Sequence, residues 1–175
     1  AMKGEALASQ CEHADNLAPA LFGGFTLVKS VKPLEVLQLP TPKDIFAVVI
    51  HPQIEIKTSE SRAILPSKVE LKNAINQWAN VGSFVHALHT NDYDLLSRSL
   101  EDHVVEPYRS QLIPNFKEVK QAVLDSGALG CSISGAGPSI FALNKGLDSA
   151  NRVKRAMQNI YEKTTIDFEI YLSKI

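Results

Sequence analysis

Apolar positions along this 175-residue chain fall into two spacings, and the switches between them mark the elements. "GFTLVKSV" at 24–31 and "LEVLQLP" at 34–40 are rich in β-formers and meet around Pro33, which predicts two short strands. "DIFAVVIHP" at 44–52 is apolar without alternation and stops at proline, as a strand buried on both faces does. Helical spacing then takes over. Ser67 and Glu70 have the spacing of a capping box, and Leu71, Ile75, Trp78, Val81, Val85 and Leu88 fall on one helical face. A second helix is predicted around 92–101, carrying Leu95, Leu96 and Leu100.

Over 113–127, Asn115 stands where a cap belongs. Phe116, Val119, Val123 and Leu124 make the apolar face, and Gly127 is the stop. "GCSISGAGPSIFALN" reads as strand, glycine turn, strand. Residues 148–163 form another amphipathic helix through Val153, Met157 and Ile160, and "IDFEIYLSKI" at 166–175 alternates as a strand. Residues 3–14 contain no breaker and read as helix. The order implies an α+β protein: a ferredoxin-like split βαβ unit, with an antiparallel sheet and helices on one face. Such a fold names no function.

Composition narrows the classes. A net charge of -1 argues against a nucleic-acid or acidic-membrane binder, which needs a basic face. No apolar run reaches membrane-spanning length. Cys11 and Cys131 lie among small or apolar neighbours, the pattern of reduced thiols in a cytoplasmic protein.

Three places carry candidate chemistry. In "SISGAGPS", six small residues run from Ser134 to Ser139; taken alone the loop reads as a plain hairpin turn, yet the run is longer than a hairpin needs, and open N–H groups at Gly135, Ala136 and Gly137 can make an anion-binding nest. "CEHADNLAPALFGG" crowds Glu12, His13, Asp15 and Asn16 together, but the spacings miss the three or four residues that helical metal ligands favour. Taken alone, Asp15 or Asn16 reads as the cap of a following helix with Pro19 in its first turn. Arg62 in "TSESRAILP" and Arg109 in "VEPYRSQLIP" each follow a structural break among apolar residues, a setting that suits bidentate grip on a carboxylate or phosphate. Spacing does not show that they converge.

"GEALASQCEHADNLAPALFGG" and "GCSISGAGPSIFAL" together resemble the second and third motifs of the GHMP small-molecule kinases, and "TSESRAILP" and "VVEPYRSQLIPNF" look like segments of their homoserine kinase branch. The resemblance runs from residue 3 to the end, and it implies phosphorylation of the L-homoserine hydroxyl with ATP and Mg2+ in threonine biosynthesis. On matching positions it implies Glu5, eight residues before His13, as the magnesium ligand. Asp15 and Asn16 would line the homoserine pocket with His13 in support, and Arg62 and Arg109 would hold the substrate carboxylate. Thr58, like Asp15, would stand near phosphoryl transfer, and Ser134, Gly135, Ala136 and Gly137 would form the cleft loop.

The family's upstream Gly-Leu-Gly-Ser-Ser nucleotide loop does not occur in the 175 residues. The expectation is therefore a C-terminal part of such a kinase: residues 1–42 from the N-terminal domain and 43–175 the C-terminal domain. It would be inactive alone and hold no cofactor tightly, with a homodimer as a candidate assembly. Two alternatives stand beside it: a GHMP kinase acting on another alcohol such as mevalonate or a sugar, or a non-catalytic amino-acid-binding regulatory module.

Overall fold

In the computed structural model the described residues are 14–175, so all but Ala14 of the expected helix over 3–14, with Glu5, Cys11 and His13, lies outside them. The described chain divides between Lys43 and Asp44 into two compact units.

The first unit holds a short helix and a hairpin. Helix α1 (Leu17–Phe22) ends at Gly23, whose N–H donates to the Pro19 carbonyl at 2.9 Å. Strands β1 (Phe25–Val31) and β2 (Leu34–Leu39) pair antiparallel from Phe25↔Leu39 to Val31↔Leu34, with a register shift between Val28 and Ser30. A Lys29–Glu35 ion pair at 2.9 Å ties the ladder, and Gln38 Nε2 of β2 donates to the Phe22 carbonyl of α1 at 3.4 Å.

The second unit is built on a four-stranded sheet of β3 (Ile45–Pro52), β4 (Gly130–Ile133), β5 (Ile140–Lys145) and β6 (Phe168–Lys174). Across the sheet the order is β4-β5-β3-β6 and every pairing is antiparallel. That is the split βαβ arrangement the element order implied, with the uninterrupted apolar strand β3 in the interior. Between β3 and β4 come α2 (Thr58–Ala63), α3 (Leu71–Thr90), α4 (Tyr93–Arg98), α5 (Glu106–Arg109), a 3-10 turn at Ser110–Leu112, and α6 (Phe116–Asp125). Between β5 and β6 comes α7 (Leu147–Tyr161).

One face of the sheet makes the core. Val48 and Ile50 of β3, Cys131 of β4, and Ile140 and Ala142 of β5 meet Phe116, Val119 and Val123 of α6, and Ala150, Val153, Met157 and Tyr161 of α7. The helices form there because their apolar residues recur every three or four positions and so share one side. Tyr161 keeps its hydroxyl satisfied inside the core by donating to the Pro114 carbonyl at 2.8 Å.

Several local expectations change. Glu70 is extended and makes no side-chain cap, so α3 begins at Leu71 and the Ser67–Glu70 box does not form. Asn115 takes the left-handed conformation at φ 60° and also caps nothing through its side chain. Leu124 is 39% exposed, outside the buried face of α6. The apolar face expected on α3 is divided: Leu88 is buried, whereas Leu71, Ile75, Trp78 and Val81 face solvent. Asp92, by contrast, caps α4 by accepting from the Leu95 N–H at 2.9 Å.

Candidate functional site

The β4–β5 connection is held in shape by its own backbone. Ser134 N–H donates to the Ser139 carbonyl at 2.8 Å, and Gly137 N–H donates to the Ser134 carbonyl at 3.0 Å. Gly137 needs to be glycine: φ is +84°, and an added Cβ would meet Ile113 Cδ1 at 3.0 Å. His51, at the end of β3, reaches the loop through a 2.8 Å contact from Nδ1 to Ser139 Oγ.

Two other segments close on the same loop. Arg109, the last residue of α5, donates Nε to the Ser61 carbonyl at 3.2 Å and Nη1 to the Gly135 carbonyl at 3.1 Å. Ser61, fully buried in α2, donates its hydroxyl to the Ala136 carbonyl at 3.3 Å. The loop, the segment containing Arg62, and Arg109 therefore converge. With two of its five N–H groups committed to backbone, the Arg109 guanidinium retains donors for an incoming acceptor. Arg62 is exposed and its guanidinium makes no hydrogen bond or ion pair with the described residues. Thr58 is the first residue of α2.

Arg109 is itself braced. Glu106, the first residue of α5 and only 8% exposed, pairs with Lys120 of α6 and accepts from Ser132 Oγ of β4 at 2.7 Å. The four-residue helix bearing Arg109 is thus pinned to both the sheet and the core helix, which limits the angles the guanidinium can take. Cys131 is free and buried; burial pushes its thiol up to about 12, while Lys120 pulls it down and Glu106 pushes it up. A thiol held that high is no nucleophile.

In the first unit, Asn16 occupies the position before α1 with its own backbone helical (φ -86°, ψ -35°) and makes no side-chain cap. The capping role that the local pattern favoured is not taken up. Asp15 and Asn16 are both exposed. Glu5 and His13 lie outside the described residues. Among the described residues no group of three or more His, Cys, Asp or Glu could hold a metal ion. A recess of about 640 Å3 bounded by Gln53, Tyr161, Asp167 and Glu169 includes neither arginine nor the loop.

Sequence reasoning had named Arg62, Arg109 and Ser134 to Gly137 but missed Ser61, Glu106, His51 and Ser139. Ser61 stands directly beside Arg62 and Glu106 three residues before Arg109, yet nothing in their type or spacing sets them apart from surface residues.

The comparison with family models matches residues 84–163 to the model described as GHMP kinases C terminal. That stretch is similar to the C-terminal domain of the GHMP kinases. It includes α6, α7, the glycine loop and Arg109. Whole-chain likenesses point the same way. The chain is 43% identical over 177 residues to a homoserine kinase of Chlorobium phaeobacteroides, covering 100% of the chain and 55% of that protein. It is 41% identical to a homoserine kinase of Pyrococcus furiosus, again over 100% of the chain and 58% of that protein. The crystal structure of homoserine kinase from Cytophaga hutchinsonii matches with a TM-score of 0.95 at 49% identity, covering 99% of the chain and 55% of that structure. The chain thus spans about half the length of the curated relatives it matches.

Proposed function

We propose that this chain supplies the amino-acid-binding part of a homoserine kinase, which phosphorylates the hydroxyl of L-homoserine to O-phospho-L-homoserine in threonine biosynthesis. The carrying observation is the convergence of three segments, with Arg109 donating to the Ser61 and Gly135 carbonyls at 3.2 and 3.1 Å. The relatives named homoserine kinase support the choice of alcohol.

In this reading Arg62 and the remaining donors of Arg109 grip the substrate carboxylate, and the glycine loop closes over the same end of the ligand. Asp15 and Asn16 present polar groups to the ammonium end, with His13 in support, and Glu5 is the magnesium ligand. Residues 1–42 belong to the N-terminal kinase domain and 43–175 to the C-terminal one. Phosphoryl transfer asks chiefly for positioning and charge neutralisation, and ATP is the donor the kinase family implies. What these residues contribute is orientation: a clamped carboxylate fixes where the hydroxyl at the other end can lie. Thr58, at the start of α2, is placed near that hydroxyl by the same reading. The protein works in the cytoplasm, and the 175 residues alone form no O-phosphohomoserine, because they contain no nucleotide loop.

The test is a titration followed through arginine Nε–H and backbone amide resonances. L-Homoserine should shift Arg62, Arg109 and Gly135 to Gly137. The amino alcohol that lacks only the carboxylate, 3-aminopropanol, should not. Equal shifts with both ligands, or none with either, would overturn the clamp.

A further inference from the structure

Lys120 and Glu106 form an ion pair largely withdrawn from water: Glu106 is 8% exposed and the Lys120 side chain 24%. Such a pair is weak support for a fold. Desolvating two charges offsets most of what their attraction supplies, and apolar residues of the same volume often serve stability as well. Its place in the chain points to another use. Glu106 stands three residues before Arg109 in the single turn of α5, and side chains three apart on a helix lie within reach of one another. A carboxylate there is the nearest partner the guanidinium could have.

That carboxylate is turned away instead. Glu106 Oε1 is taken by Lys120 Nζ of α6, and Oε2 accepts from Ser132 Oγ of β4 at 2.7 Å. The other acid in the segment is committed too. The Asp102 carboxylate accepts from the Val104 and Val105 N–H groups, both at 2.8 Å, and from the Glu106 N–H at 3.1 Å. Among the described residues the Arg109 guanidinium therefore meets the Ser61 and Gly135 carbonyls and forms no ion pair.

Of the two groups that hold Glu106, Lys120 is the stronger. The Ser132 hydroxyl is a neutral donor, whereas the ammonium contact joins two opposite charges. Without Lys120, Glu106 would be a buried carboxylate with one neutral partner, and rotating to Arg109 would relieve it most. An arginine already paired with a carboxylate has fewer donors and no free charge for a second one.

We propose that Lys120 is a positioning residue for Arg109: by holding Glu106 away, it keeps the guanidinium without an internal counter-ion and open to a ligand carboxylate. The identity of that ligand rests on the homoserine reading; the diversion of Glu106 does not.

The test is a set of variants of the 175-residue chain, read by the Arg109 Nε–H resonance without ligand, by the dissociation constant for L-homoserine, and by melting temperature. In Lys120→Met the resonance should move, as a carboxylate joins the guanidinium. Homoserine should then bind roughly tenfold more weakly or worse, the loss of one charge-assisted hydrogen bond. Adding Glu106→Gln to that variant should return the resonance to its parental position and the affinity to within about threefold of the parent, because an amide still accepts from Ser132 but cannot neutralise an arginine. A pair with a structural role alone predicts the reverse, the second substitution adding to the damage of the first. Lys120→Gln keeps a donor for Glu106 without the charge, so it should fall between, and it takes the place of Lys120→Met if that variant does not fold. A resonance unmoved in both Lys120 variants overturns the proposal, as does one that Glu106→Gln fails to bring back. A weakened affinity that Glu106→Gln does not restore overturns it as well. Homoserine binding that no variant changes, with a resonance that moves and reverts, upholds the diversion of Glu106 and overturns the carboxylate clamp instead.

Discussion

The hairpin unit at 14–43 and the sheet unit at 44–174 follow the same local rules and end in opposite states. Both pair their strands antiparallel. In the hairpin unit, Leu21, Phe22, Leu27, Leu34 and Leu37 are all exposed, Leu21 to 66%. In the sheet unit, Val48, Val119, Val153, Met157 and Tyr161 are fully buried. A two-stranded ribbon by itself encloses no core, whereas four strands backed by α6 and α7 do. Strand pairing alone does not make a core.

The comparison is broken most sharply by a buried charge. Val153→Asp should abolish cooperative unfolding of the sheet unit, because an unpaired carboxylate in that core costs several kcal/mol. The same change at Leu27, which is 37% exposed, should leave the melting curve where it was. Thermal denaturation followed by circular dichroism of the two variants checks this. Equal losses would mean that the hairpin is as much a part of the core as α7.

Alkaline pH gives the next largest effect, and the raised groups that carry it, Cys131, Tyr161 and Tyr93, all lie in the sheet unit. Burial pushes Cys131 and Tyr161 up to about 12, and burial with a hydrogen bond to Asp44 does the same for Tyr93. Each group holds its proton longer folded than unfolded, so unfolding releases protons at high pH. Stability is then fully present below pH 8 to 9 and falls as pH climbs toward 12. Denaturant midpoints measured through that window should decline, and Cys131→Ala should flatten the decline. A midpoint independent of pH up to 11 would contradict the burial argument.

The smallest effect separates two glycines of one loop. Gly137→Ala meets both a left-handed backbone and Ile113, while Gly135→Ala, at φ +60°, has open space. The backbone strain costs about 1–2 kcal/mol for either, so Gly137→Ala should lose more by the amount of the clash. Urea midpoints of the pair measure that difference, and equal values would mean that Ile113 simply moves aside.

Much of this was legible in advance, for reasons that can be named. The sheet unit has long periodic segments whose apolar residues face a core: β3, α6 and α7 fall within one to three residues of where the pattern put them. The caps at Ser67 and Asn115 were misplaced because a capping residue is defined by backbone angles that its type does not set. The apolar residues of α3 were expected on one side of the helix, but periodicity reports which residues share a side and not what that side meets. In the site, the loop and the arginines stood out by composition. Ser61 and Glu106 did not, since their importance comes from partners as many as 75 and 26 positions away.

The two arginines also differ, and that difference points to the cleanest test of the carboxylate clamp. Arg109 holds Ser61 and Gly135 as well as any ligand, so its loss would disturb the loop. Arg62 holds nothing among the described residues, so its loss removes ligand contacts alone. The measurement is the dissociation constant of L-homoserine for the parent chain, Arg62→Ala and Arg62→Lys. A charge-assisted hydrogen bond is worth about 1.5–3 kcal/mol, so Arg62→Ala should bind roughly ten- to a hundredfold more weakly with an unchanged melting temperature. Lysine should recover little of this, having the charge without the planar fork. Binding by Arg62→Ala at the parental affinity would contradict the account.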